Sequence, residues 1–179
     1  MDNNVFQTNF MKVSIIMPSF LGNYEGAATD REEKFIRAVN SCLDNDYKYK
    51  ELVIVSDGCE ITNNVVMQKF KEQLFLSQIK LVKLPKQPLF SGNVRSAGLA
   101  NATGNYIMYL DTDDMFSQKH ISTVVDQMIT EKLDWCYYND YFNTDAGLVP
   151  KSVELEHGSI GTSSIFLKYH SPVSFIPPT

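Results

Sequence analysis

Three carboxylates, Asp111, Asp113 and Asp114, fall within four consecutive residues directly after the apolar run Tyr106 to Leu110. Carboxylates that close repel one another unless a cation or a donor-rich ligand lies near. Their oxygens are hard ligands suited to Mg²⁺ or Mn²⁺, and such ions usually complete their shells with phosphate oxygens. A metal-bridged diphosphate is the chemistry this cluster suggests. The alternative is a solvated loop in which Asp114 or Ser117 caps the next helix. The position straight after a buried strand favours the first reading, because parallel α/β sheets bind ligands beyond the carboxyl ends of their strands.

Two other strand ends carry polar groups, Pro18-Ser19 and Ser56-Asp57-Gly58. Asp57 can accept hydrogen bonds from a base or a ribose, with Gly58 letting the backbone come close; a plain Asp-Gly turn is the alternative. Arg95 stands among small residues in Gly92 to Gly98. Its guanidinium can reach a phosphate or a base, or it lies on a helix surface.

The elements that would position these groups alternate in type. Val13 to Met17 predicts a buried strand ended by Pro18. Thr29 with Glu32 suggests a capping box for a helix presenting Phe35, Ile36, Val39 and Leu43 on one face. Leu52 to Val55 predicts a second strand, followed by helical spacing at Val65, Val66, Phe70 and Leu74. A third strand spans Ile79 to Leu84, with Pro85 and Pro88 forcing a loop after it. A helix over Gly92 to Ala102 is closed by Gly104. The fourth strand is Tyr106 to Leu110, Ser117 caps a helix to Thr130, and an aromatic strand runs from Trp135 to Phe142. Gly158 to Tyr169 reads as a strand or short helix, and Ser171 to Thr179 as an extended, proline-rich end. Strands alternating with helices imply right-handed crossovers and a mostly parallel sheet flanked by helices, an α/β sandwich. The length of 179 residues suits one domain; residues 1–11 read as a flexible N-terminal extension and 12–179 as the domain.

Composition excludes several classes. The net charge is −5 and the basic residues are scattered, so nucleic acid is not an expected partner. Three isolated cysteines without CxxC spacing suggest neither disulfides nor zinc and fit a reducing cytoplasm. The apolar runs are strand-sized, so no transmembrane segment is expected; peripheral contact with the inner face of a membrane stays open.

The segments VSIIMPSF, ELVIVSDG and SGNVRSAGLANATGNYIMYLDTDDMF, in this order and spacing, closely resemble the inverting nucleotide-sugar glycosyltransferases of the GT-A fold, family 2. The resemblance runs from Lys12 to Phe142 and continues through Gly161-Thr162-Ser163-Ser164. It implies a Rossmann-like GT-A sandwich that transfers a sugar, with inversion, from a nucleotide-sugar donor to a carbohydrate or glycolipid acceptor in polysaccharide biosynthesis. The donor implied is a UDP-sugar. By this resemblance Pro18, Ser19 and Phe20 lie beside base and ribose, Asp57 bonds the base, and Arg95 lies near base or diphosphate. Asp111-Thr112-Asp113 is the DxD motif, with Asp113 as metal ligand, Asp111 nearer the ribose and Asp114 able to share either role. The ion, Mn²⁺ or Mg²⁺, would neutralise charge on the departing diphosphate.

The family's general base, an acid downstream of the DxD motif, would fall beyond Thr179, so the chain is expected to be incomplete at its acceptor side. Asp140, Glu154, Glu156 and His157 are substitutes that read better as surface groups, and His120 and His170 as helix-surface or loop residues. Trp135, Tyr137, Tyr138, Tyr141 and Phe142 could stack on a sugar, although half-buried strand packing is the simpler reading. Ser96 stands where the family has Asn. Two further readings remain, a donor-binding chain without turnover and a sugar-nucleotide nucleotidyltransferase, whose basic glycine-rich loop after the first strand is not found in Leu21 to Gly26.

Overall fold

The computed structural model describes residues 11–86, 91–154, 156 and 159–169. Met1 to Phe10, Pro88, His157, Gly158, His170 and the segment Ser171 to Thr179 lie outside the described residues. Strand β1, Val13–Ser19, is the centre of the sheet. Along one side it pairs in parallel with β2, Lys50–Asp57, from Val13↔Lys50 to Ser19↔Ser56. Along the other it pairs with β4, Tyr106–Tyr109, from Val13↔Tyr106 to Ile16↔Tyr109. Strand β3, Ile79–Leu84, adds beyond β2. This register brings Ser19, Asp57 and Asp111 to one edge of the sheet.

Alternation along β1 divides the core between two layers. Val13, Ile15 and Met17 pack with Phe35 and Val39 of α1, Arg31–Leu43, Val66 of α2, Glu60–Lys69, and Ile121, Val124 and Val125 of α5, His120–Thr130. Ile16 faces the other way, against Leu99 of α4, Gly92–Asn101. Val53 and Val55 of β2 also meet α4, at Val94. Each fully buried aliphatic or Phe side chain contributes about 1.5–3 kcal/mol, so the two layers together fix which strand edge becomes the site. Gly98 sets how near α4 comes. A Cβ there would lie 2.4 Å from Ile16 Cγ2 and 3.1 Å from Val55 Cγ2. The helix therefore rests directly on the sheet and carries Arg95, one turn earlier, towards the carboxyl ends of the strands.

At the opposite edge a polar latch joins β1, β2 and the loop that leads into β4. The Glu51 carboxylate is 2.8 Å from Lys12 Nζ and accepts from the Ser14 hydroxyl at 2.6 Å. It also accepts from the Thr103 N–H at 2.7 Å and the Thr103 hydroxyl at 2.9 Å. Burial pushes the Glu51 carboxyl up, yet these donors outweigh it and hold it at about 2.

Several local expectations are corrected. Pro18 does not end β1: it pairs with Val55. The β4 ladder has stopped at Ile16, whose carbonyl accepts from Leu110 N–H on that side, so two residues on a missing N–H breaks no bond. No capping box forms at Thr29 and Glu32; the N-cap is Asp30, with no side-chain cap bond, and its carboxylate meets Lys34 at 3.1 Å instead. The helix after β2 breaks at Phe70 into α2 and a short α3, Lys71–Phe75. Helix α4 ends at Asn101 with Ala102 extended, not at Gly104, and α5 starts at His120 rather than after Ser117.

The aromatic segment is not one strand. It divides into β5, Trp135–Tyr137, and β6, Asp140–Thr144, which forms a separate hairpin with β7, Gly147–Lys151. The segment before Tyr169 is a 3-10 turn, Thr162–Ser164, running into β8, Ile165–Lys168. Strand β8 inserts antiparallel between β4 and β5, giving the order β3-β2-β1-β4-β8-β5. The sheet is thus mostly parallel with one reversed strand. No helix among the described residues is long and apolar enough to cross a membrane.

Candidate functional site

A cleft of about 580 Å³ opens where β1, β2 and β4 end. Pro18, Ser19, Phe20, Asp57, Arg95, Asp111, Thr112 and Asp113 all line it, together with Tyr24, Ala28, Arg31, Lys34, Lys86, Ser91 and Val94. Asp114 lies just outside this lining. Groups expected from four separate stretches of sequence thus share one cavity.

At one end the buried Asp57 carboxylate is paired with Lys86 Nζ, which also stands 4.2 Å from the centre of the Phe20 ring. Gly58 makes this corner possible. Its φ is +61°, and a Cβ there would lie 2.5 Å from the Lys86 backbone nitrogen. The corner thus presents a carboxylate that only accepts, an ammonium that only donates, and an aromatic ring.

The loop after β1 is held from behind. The Ser19 hydroxyl is turned inward, 3.0 Å from the Thr62 hydroxyl, so that residue reaches the cleft through its backbone. The Arg31 guanidinium donates to the carbonyls of Phe20 and Gly22 and lies 4.7 Å from the Tyr24 ring centre. Cys59 Sγ accepts the Leu21 N–H at 3.3 Å. Burial pushes the Cys59 thiol up, but donors from Thr62, Leu21 and Gly22 prevail and leave it below its ordinary value.

At the other end Arg95 Nη2 meets Asp111 Oδ1 at 2.9 Å while Nη1 donates to Ser91 Oγ. Arg95 Nε is buried with no hydrogen-bond partner among the described residues. A buried donor of a guanidinium left without an acceptor is a place for an anionic oxygen. The acidic loop is fixed by its backbone. Asp111 N–H donates to Ser163 Oγ at 3.1 Å, Asp113 O accepts from Arg37 at 3.2 Å, and Phe116 N–H donates to Ser41 Oγ at 3.1 Å. The Asp114 carboxyl is pushed up by the protein packed around it and by Asp111, Asp113 and Asp140, against the hydroxyl of Ser163.

Among the described residues no three His, Cys, Asp or Glu side chains form a ready-made metal cage. Asp111 and Asp113 nevertheless fit a divalent ion whose remaining ligands come from a diphosphate, since Mg²⁺-type sites use one or two carboxylates plus phosphate oxygens. Asp114 stands beside them.

Of the expected substitutes for a general base, the described ones, Asp140, Glu154 and Glu156, do not line the cleft. Asp140 Oδ1 accepts the Ser164 hydroxyl at 2.6 Å, and Glu154 and Glu156 are exposed. His120 is not a surface residue: its ring stacks on Phe116, 4.9 Å between centroids, and meets the edge of Tyr138 at 5.2 Å. Burial lowers its pKa. Trp135, Tyr141 and Phe142 are more than half exposed, so half-buried packing does not describe them. Sequence reasoning missed Arg31 and Lys34, whose signal was basic residues one turn apart at the start of a helix facing the strand ends. It also missed Lys86, which follows β3 as Asp57 closes β2.

The profile of glycosyl transferase family 2 matches residues 14–170. The glycosyltransferase GlyA of Streptococcus pneumoniae is 24% identical over 139 residues, covering 76% of this chain and 18% of GlyA. An Escherichia coli protein, UDP-Glc:alpha-D-GlcNAc-diphosphoundecaprenol beta-1,3-glucosyltransferase WfaP, is 28% identical over 137 residues, 75% of this chain and 53% of its own. Staphylococcus aureus TarS 1-349 in complex with UDP-GlcNAc superposes with a TM-score of 0.67 at 18% identity, covering 88% of this chain and 45% of that one. The chain thus spans about half or less of the length of these relatives.

Proposed function

The chain belongs to glycosyl transferase family 2, and from that premise we propose that it is the donor-binding part of an enzyme that transfers a sugar from a UDP-sugar, with inversion, to a carbohydrate or lipid-linked acceptor. One observation carries the reading. A base-sized corner made by Asp57, Lys86 and Phe20 and an anion-sized corner made by Arg95 and the acidic loop share a single cleft.

The base would stack on Phe20, give an N–H to Asp57 and accept from Lys86. The diphosphate would lie against the Arg95 guanidinium, and the ribose would lie between, near Asp111. Asp113 and Asp111, with Asp114 beside them, would hold Mn²⁺ or Mg²⁺, whose part is to neutralise charge on the departing nucleoside diphosphate. Fixing the diphosphate at both ends aligns the anomeric carbon for in-line attack. Asp57, Asp111 and Asp113, the acids lining the cleft, are all committed to the donor in this scheme, so none is assigned the acceptor's proton. That observation favours a second reading, donor binding without turnover by this chain alone. The TarS complex with UDP-GlcNAc and the lipid-linked substrate in the name of WfaP support the donor class and the acceptor class. Contact with a membrane face would follow from such an acceptor.

The test is calorimetric titration with UDP, GDP and dTDP, each with and without Mn²⁺, on the wild type and Asp113→Ala. Metal-dependent binding lost in the variant, with the melting midpoint nearly unchanged, is the expected result. No binding of any nucleotide under either condition would sink the reading.

A further inference from the structure

The two serines of the 3-10 turn each meet a different carboxylate. Ser163 Oγ accepts the Asp111 N–H at 3.1 Å, and its hydroxyl favours the charged form of the nearby Asp114 carboxyl, against the burial that pushes it up. A serine hydroxyl has one proton to donate and lone pairs to accept, so Ser163 spans the acidic loop from its first residue to its last. The neighbouring Ser164 is 3% exposed and donates to Asp140 Oδ1 at 2.6 Å. Its carbonyl accepts the Tyr138 N–H at 3.0 Å. The turn is therefore clamped to the start of β6 on one side and grips the acidic loop on the other.

We propose that Ser163, held in place by the Ser164–Asp140 hydrogen bond, is a positioning residue that sets the spacing of the Asp111–Asp114 carboxylates and so the affinity of the loop for a divalent cation carried by a nucleoside diphosphate. The inference rests on the donor-cation reading above. It goes beyond it by assigning work to a turn far along the chain that touches neither nucleotide base nor sugar. Groups that orient metal ligands from behind usually change metal affinity by about 10–100-fold when removed.

The probe is UDP, titrated with and without Mn²⁺ into wild type, Ser163→Ala, Ser163→Thr, Asp140→Ala and Asp140→Asn. The expected result is that Ser163→Ala loses about tenfold or more of the Mn²⁺-dependent gain in affinity while keeping metal-free UDP binding, which also certifies its fold. Ser163→Thr, which keeps the hydroxyl, restores the gain. Asp140→Ala loses it in the same way, and Asp140→Asn, which keeps the acceptor oxygen, restores it. An undiminished Mn²⁺ gain in Ser163→Ala, in a protein whose gain depends on Asp113, overturns this proposal and leaves the donor-cation reading standing. A wild type with no Mn²⁺ gain overturns both.

Discussion

Arg95 Nη2 and Asp111 Oδ1 lie 2.9 Å apart, tying the helix on one face of the sheet to the acidic loop beyond β4. The pair leaves Asp111 committed before any ligand arrives, and Arg95 Nε, enclosed by the protein, has no acceptor among the described residues. Removing the guanidinium should weaken UDP binding about tenfold or more, the scale of a hydrogen bond to a charged group. Arg95→Lys should not restore it, because a single ammonium cannot serve Ser91, Asp111 and a phosphate at once. Titration of Arg95→Ala with UDP and with uridine checks the assignment: an equal loss for uridine would move Arg95 to the base.

Asp57 and Lys86 offer an acceptor next to a donor, which complements an edge where a ring N–H adjoins a carbonyl, as in uracil, thymine and guanine. With the ring held in the same register, cytosine and adenine put a bare ring nitrogen against Asp57 and an amino group against Lys86, which leaves both charges unmatched. UDP should therefore bind about tenfold or more tightly than CDP, and Lys86→Ala should narrow that ratio. Asp57→Ala should weaken UDP binding while keeping its Mn²⁺ dependence. Equal affinity of the wild type for CDP and UDP would refute the assignment.

The Glu51 latch predicts an acid limb in stability. With its carboxyl held at about 2 in the fold against an ordinary value of 4.5, the unfolded chain binds the extra proton in the interval between. The contribution is complete above about 4.5 and disappears as pH falls towards 2; a shift of this size is worth on the order of 3 kcal/mol. Urea midpoints followed from pH 6 to pH 3 should fall steeply for the wild type and less steeply for Glu51→Gln. Parallel curves would show that the latch contributes nothing.

Gly98→Ala sets two effects against each other. Alanine favours the helix by up to about 1 kcal/mol, but its methyl would meet Ile16 Cγ2 at 2.4 Å on a buried, β-branched side chain that has little freedom to turn. Overpacking of that kind costs about 1–3 kcal/mol. The melting midpoint should drop by several degrees, and calorimetry showing a rise instead would mean that α4 lifts away without cost.

The parts of this fold legible in the sequence are those written as continuous apolar runs. Val13–Met17, Leu52–Val55 and Tyr106–Leu110 are buried on both faces, so they read plainly as inner strands, and the acids that follow them inherit their placement. Asp57, Arg95 and the Asp111–Asp114 loop were locatable for that reason. What stayed hidden depends on contacts between distant segments. The insertion of β8 antiparallel beside β4 has no local signature, and Ile165–Lys168 is four residues long. Lys86 gains its meaning only from the β2–β3 register that brings it to Asp57. The split of the aromatic segment at Tyr138–Asn139 was hidden by the aromatic residues on either side, although Asn139 and Asp140 are poor strand formers.

Glu51 is the second residue of β2 and Asp57 its last, so one eight-residue strand carries the acid latch near its start and the recognition corner at its end. The two ends answer to different demands. A change after Val55 would alter what the cleft accepts and leave the latch in place, while a change before Leu52 would weaken the fold and leave the corner's chemistry as it is, so a loss at one end is not repaired by a change at the other.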